Sequence, residues 1–410
     1  MVALLRSSAF AALLCASLSP VHAGPAWEGV YEGVLGPSRV IVSLSPDDAR
    51  YAYAAGADDL GLIVAEAGGV LNITETVAPG IDAAAIKQRP LLASGRWTLQ
   101  QRGEKLTGHW TAAGGGRGRD VSLTRVSRRA GPAGAYGARW LAAAAPFAAQ
   151  GGETVFGPVA YTLLRDTLYG NVVPHLVRAP PGVHVEAVNK QLEKLLGTLV
   201  LRDRACAQDL RSSAALDGTA RLAEVDGPGK KVAPAARQSM TPVFASASLL
   251  VLLESRSRFC GGAHPARSVA AFTFDLRAPR QISGLGEGTD DLASSALGAA
   301  FDFADAGKRT RFDSLWVERF RAAIARESAA RDGDEIAKAC GDNLGGQLES
   351  AGAGLDKIVY PLAQGLAIRA TGFGHAASVC ARDHAANPLV LPWADVKPFL
   401  KADQRLLPGQ

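Results

Sequence analysis

The stretch FCGGAHP, residues 259–265, sets Cys260 and His264 on either side of Gly261, Gly262 and Ala263. A cysteine beside an imidazole is the raw material of a thiolate nucleophile. His375 (GFGHA) and His384 (RDH) flank Cys380 in a similar way, and three histidines near two cysteines are the raw material of a zinc site. Each chemistry makes further demands. Zinc sites usually announce themselves by HxH or HExxH spacing, and neither occurs; serine hydrolysis wants a GxSxG elbow, which is also missing. His109, His175 and His184 stand alone. The two glycines permit positive φ, and Pro265 bars continuation of helix or sheet. We therefore expect a stapled corner: Gly261 and Gly262 turn the chain, and His264, with His375, is displayed for binding. No catalytic residue, metal or cofactor is expected.

The staple follows from the compartment. The chain opens MVALLRSSAFAALLCASLSPVHAG, where Arg6 precedes an apolar run, Ala9 to Leu18, and then Val21-His22-Ala23. That is the pattern of a secretory leader cleaved after Ala23, and the run is too short for a membrane anchor. Lipidation at Cys15 is disfavoured, because bulky Leu14 precedes it. A periplasmic or secreted location is expected. Four cysteines remain, Cys206, Cys260, Cys340 and Cys380. An even count in an exported chain implies disulfides, with three possible connectivities. Pairing of sequence neighbours, Cys206–Cys260 and Cys340–Cys380, closes the shorter loops, each worth about 4 kcal/mol by chain entropy.

The elements that must position these groups fall into two halves. Of 410 residues, 48% are hydrophobic and 20% charged, enough for two cores. Residues 24–127 read as an antiparallel β domain, a small barrel or sandwich. Trp27-x-Gly-x-Tyr31-x-Gly33 and Val40, Val42, Leu44 alternate, and Trp97-x-Leu99 turns at Arg102-Gly103 into Leu106-x-Gly108-x-Trp110. Residues 128–150 are Ala/Gly/Pro-rich and read as a linker with one short helix around Trp140. From 151 to 404 the pattern is α+β: strands over Tyr161–Val177 and near Ser246–Glu254, with AAFTFDL a further strand. A helix is expected through Val185, Val188, Leu192, Leu195 and Leu199, one from Asp290 and another through Trp316, Phe320 and Ile324. LPWADVKPFL closes as a short strand and a helical turn.

The run LLESRSRFCGGAHPARSVAAFTFDL resembles the signature of the RsiV-like family, extracytoplasmic domains related to lysozyme-sensing anti-sigma factors. The likeness takes in Val188-Asn189, Gly365-Leu366, Gly374-His375 and the closing LPWADVKPFL, and spans about residues 155–402. It implies an RsiV-like α+β domain in which a strand enters a GGAH turn and leaves into a second strand. The four cysteines and the N-terminal β domain depart from the family pattern, and no apolar run after the leader has the length of a membrane span. The resemblance thus implies a binding domain without a transducer.

The expectation for function is an exported, soluble, non-catalytic binding protein of the bacterial envelope. Its ligand would be a lysozyme-like cell-wall hydrolase or a cell-wall glycan. The alternatives are a structural envelope protein and a metal-assisted envelope hydrolase using His264, His375 and His384. Net charge is +5, or +4 once Arg6 leaves with the leader, and pI is near 9.0. Such a chain gains little steering toward a cationic lysozyme, so contact would rely on local acids such as Asp290-Asp291. Basic residues are scattered, with no basic helix face, and nucleic acid is not an expected partner.

Overall fold

The computed structural model describes residues 24–54, 56, 58–131, 134–144, 147–217, 237–260, 266–283, 300–330, 357–370 and 388–401, with isolated positions between 335 and 350. Eight strands form the N-terminal part: β1 (Gly29–Leu35), β2 (Ser38–Leu44), β3 (Ala49–Tyr53), β4 (Asp59–Ala67), β5 (Val70–Thr76), β6 (Ala93–Arg102), β7 (Lys105–Ala112) and β8 (Arg119–Ser127). Each pairs antiparallel with the next, and β1 pairs with β8 to close a barrel. Of the two architectures expected from the alternation, the barrel is the one formed. The hairpin at Arg102-Gly103 pairs Trp97 with Trp110 and Leu99 with Gly108.

Inward positions fill the lumen. Tyr31, Leu35, Val40, Val42, Tyr51, Leu71, Ile73, Trp97, Leu99, Leu106, Val121 and Leu123 form one buried cluster. Tyr51 and Trp97 meet edge to face at 5.0 Å between centroids, so the aromatics of this half are core. Ile41 breaks the polar-out rule of β2. With Val30 and Ala52 it forms an apolar patch on the outside of the barrel, covered by Tyr136 and Trp140.

Those two rings belong to α2 (Ala135–Ala144), so the stretch read as a linker packs against the barrel and α3 below. Its last residues are strand: β9 (Phe147–Phe156) pairs with β10 (Val159–Asp166), and β10 with β11 (Val172–Arg178). A six-residue helix earlier in the chain, α1 (Ala83–Gln88), sits between β5 and β6, capped by Asp82.

The 33-residue helix α3 (Val185–Asp217) follows. Val188, Leu192, Leu195 and Leu199 lie on its buried row, as their spacing predicts. They pack on one face of the sheet β12 (Arg237–Ala245), β13 (Leu249–Arg258), β14 (Ala266–Asp275) and β15 (Arg280–Ser283). Asn189 fastens the helix to β11, accepting from Leu176 N at 2.8 Å and donating to Leu176 O at 2.9 Å. The other sheet face carries Phe244, Leu249, Val251 and Ala271. It meets α4 (Ala306–Ala330), which presents Phe312, Trp316, Phe320 and Ile324, and the strands β16 (Lys357–Leu362), β17 (Gly365–Ala370) and β18 (Leu389–Pro392). Burial on both faces explains why β13 and AAFTFDL lack alternation: Leu250 and Leu252 face one core, Leu249 and Val251 the other. After β18 comes one helical turn, Trp393–Val396, as expected. The helix expected from Asp290 lies mostly outside the described residues. The whole is an antiparallel β barrel followed by an α+β assembly.

Candidate functional site

Cys206, 2% exposed in mid-α3, is bonded to Cys260, with Cα atoms 4.7 Å apart. This is the neighbour pairing expected from loop length, and it leaves neither sulfur of the pair as a nucleophile. Strands β13 and β14 pair without a break from Leu249↔Asp275 to Arg258↔Ala266. Cys260 therefore lies just past the end of a ten-residue ladder and is tied to a buried helix. Gly261, Gly262, His264, His375, His384, Cys340 and Cys380 lie outside the described residues.

The remaining histidines stand apart. His109 on β7 faces Asp120 at 2.8 Å on the surface, and His175 on β11 lies 3.4 Å from Glu193. His184 lines a shallow cleft of about 390 Å³ with Val185, Glu186, Ala187 and Lys190 at the start of α3. Among the described residues no group of three or more His, Cys, Asp or Glu is placed to hold a metal ion. None of their helices is long and apolar enough to cross a membrane.

Around the disulfide, α3 carries charged groups into the protein on two sides. Toward the sheet, Asp203 pairs with Arg256 of β13, and the side chains of both are fully buried. Toward the barrel, Arg204 pairs with Asp59 at the start of β4, their side chains 3% and 1% exposed. Asp59 also accepts from Tyr136 Oη at 2.6 Å and from Gln208, and Arg50 reaches Gln208 Oε1 at 2.8 Å. The Arg204 guanidinium lies 3.8 Å from the centroid of the Trp140 ring. Farther along, Ser212 Oγ donates to Pro79 O at 2.5 Å. One stretch of helix thus joins the barrel, the sheet and the base of the GGAHP stretch. Reasoning from cysteine and histidine spacing found the disulfide and missed the ion pairs. The Arg202-Asp203-Arg204 triplet, set between apolar Leu199-Val200 and Cys206, was the signal available.

A second polar node lies inside the barrel. Glu75, 3% exposed, accepts hydrogen bonds from Tyr51 Oη at 2.9 Å, Trp97 Nε1 at 3.0 Å, Trp110 Nε1 at 2.7 Å and Ser94 Oγ at 2.9 Å. Four donors satisfy a buried carboxyl group that has no cation paired with it among the described residues. Gly95 makes room for it: a Cβ there would lie 2.4 Å from Trp110 Nε1.

Two phenols in these nodes have shifted acidity. Burial, then the charge of Glu75, holds Tyr51 well above the ordinary 10; burial, then Asp59, does the same for Tyr136. Burial also pushes Tyr169 up to about 12. In the unfolded chain all three release their protons near pH 10. Above that pH the unfolded state binds fewer protons, so stability falls as pH rises, whereas below it these groups add no pH dependence. Tyr51 and Tyr136 together are expected to cost about 3 kcal/mol per pH unit above 10. Urea melts between pH 9 and 11 check this; a flat profile, or tyrosinate absorbance rising to completion before unfolding, would contradict it.

No family model matches the sequence, and no curated protein matches it. Among solved structures, the chain is similar to a DUF3298 family protein from Pseudomonas aeruginosa PAO1, with 12% identity and a TM-score of 0.29. That likeness covers 65% of this chain and 97% of the other.

Proposed function

We propose that the protein is an exported, non-catalytic binding protein of the bacterial envelope, with an RsiV-like C-terminal half that presents the GGAHP stretch to a lysozyme-like hydrolase or a cell-wall glycan. The disulfide carries this reading. It fixes the residue before Gly261 to a buried helix, and a recognition segment whose root is already ordered loses less entropy on binding. The strands on either side of that stretch match what the sequence resemblance implies, a strand into and a strand out of GGAH. Binding residues on this reading are Gly261, Gly262, His264 and His375.

The test uses the chain from Gly24 onward, immobilised and exposed in turn to a c-type lysozyme and to purified peptidoglycan. Retention of one is expected, and His264→Ala should weaken it about tenfold, about 1.4 kcal/mol, with an unchanged melt. Retention of neither, or His264→Ala binding as well as the parent, defeats the proposal.

A further inference from the structure

We infer that one end of the barrel docks on the surface of an anionic phospholipid leaflet, with Leu91 as the inserted side chain. The β5–β6 and β7–β8 connections leave the barrel at the same end. The first of them ends in a short 3-10 turn, Pro90–Leu92, just before β6. Its two leucines have opposite fates. Leu92 is buried with Ala78, Ile81 and Ala215 of α3, whereas Leu91 keeps 93% of its surface. The turn is anchored. Leu92 N donates to Arg89 O at 3.0 Å, Val77 N donates to Leu92 O at 3.0 Å, and the Arg89 guanidinium donates to Leu216 O near the end of α3. These bonds gather Val77 and Leu216, 38% and 39% exposed, around the same turn. Seven large apolar side chains stand exposed among the described residues, and three of them meet here. A lone exposed leucine is ordinary, but a cluster raised on an anchored turn marks a contact surface.

The charge around the cluster selects the occupant. Lys87 and Arg89 precede the turn, Arg96 follows it on β6, and Arg117 and Arg119 lie at the neighbouring β7–β8 connection. All five are exposed, and none has a carboxylate partner among the described residues. Thr111 of β7 pairs with Arg96 and the adjacent Trp110 with Arg119. Across β7 the two arginine backbones are therefore about 10 Å apart. The acids within residues 77–92 and 113–120 are Asp82 and Asp120, and both are engaged. Asp82 caps α1 by accepting from Ala85 N at 2.7 Å, and Asp120 faces His109 at 2.8 Å. A hydrophilic polyanion would use the cations alone and leave the three apolar side chains in water. A bilayer surface uses both groups: headgroup phosphates meet the cations, and the leucine reaches the acyl boundary beneath them. The long stems of lysine and arginine let their charged heads stay at headgroup level while the turn goes deeper.

The test needs lipid alone and does not rest on the proposed function. The chain from Gly24 is floated with vesicles of equal parts phosphatidylglycerol and phosphatidylcholine, and with vesicles of phosphatidylcholine only. It is expected to rise with the first and not with the second, and high salt should release it. Leu91→Ser should weaken binding about tenfold, through lost apolar burial, and K87Q/R117Q by about as much, through lost charge. Val155→Ser, at a 67% exposed site on β9, should leave binding unchanged. Every substituted side chain is exposed, and melts that match the parent confirm intact folding. A parent left behind by the anionic vesicles, or carried equally by both kinds, would overturn the inference. So would Leu91→Ser binding as tightly as the parent, since attraction between charges alone would then account for the contact.

Discussion

Asp59→Ala is expected to destabilise the protein by about 3–5 kcal/mol, the usual consequence of removing one partner from a buried ion pair. Among the described residues the carboxylate is the only negative partner of Arg204, whose Nε has no hydrogen-bond partner there. It also accepts from Tyr136 and Gln208 and lies 3.5 Å from Arg50. Without it, a guanidinium stays buried against Trp140 with no counter-charge. Arg204→Met added to Asp59→Ala should recover part of the loss, because it removes the stranded charge. The neighbouring Asp58 makes the contrast. It is 63% exposed and pairs with Arg211, so Asp58→Ala should change stability by no more than about 0.5 kcal/mol. Urea melts of the four proteins decide the matter, and equal losses at Asp58 and Asp59 would refute the argument from burial.

Replacing Cys206 and Cys260 together by alanine should cost about 4 kcal/mol, since the bridge closes a loop with a sequence separation of 54 residues. The cost falls mainly through the unfolded chain, which regains the freedom of that loop. A second effect is local: the end of β13 loses its only covalent tie to α3. Melts of the double variant, compared with the parent before and after reduction, measure the first effect. Proteolysis near residues 259–265 reads the second. If the variant melts within about 1 kcal/mol of the parent, loop closure is not what the bridge supplies.

Much of this fold was legible in the sequence because its elements bury regular patterns. The alternation in β2, the hairpin at Arg102-Gly103, and the rows Val188–Leu199 and Trp316–Ile324 each place one face in a core. Where two faces are buried, as in β13, alternation vanishes and only residue type remains. Where none is buried, as at the start of β9, the residues up to Gln150 read as linker, since Ala and Gln carry no period when nothing packs on them. The polar nodes were hidden for another reason. Arg204 and Asp59 lie 145 residues apart, and a charged side chain reads as surface until its partner is known. Glu75 gave no sign that three aromatic donors would converge on it.

The helix that covers Val30, Ile41 and Ala52 bears on how the protein is made. Until β8 has paired with β1 the barrel cannot close, and once closed it still shows that patch to water. The cover, α2, is the next element after β8, so during N-to-C synthesis the sticky wall is bare for only a brief stretch of chain. Moving that helix to the far end of the sequence would leave every native contact available and lengthen the interval in which a half-made chain can aggregate.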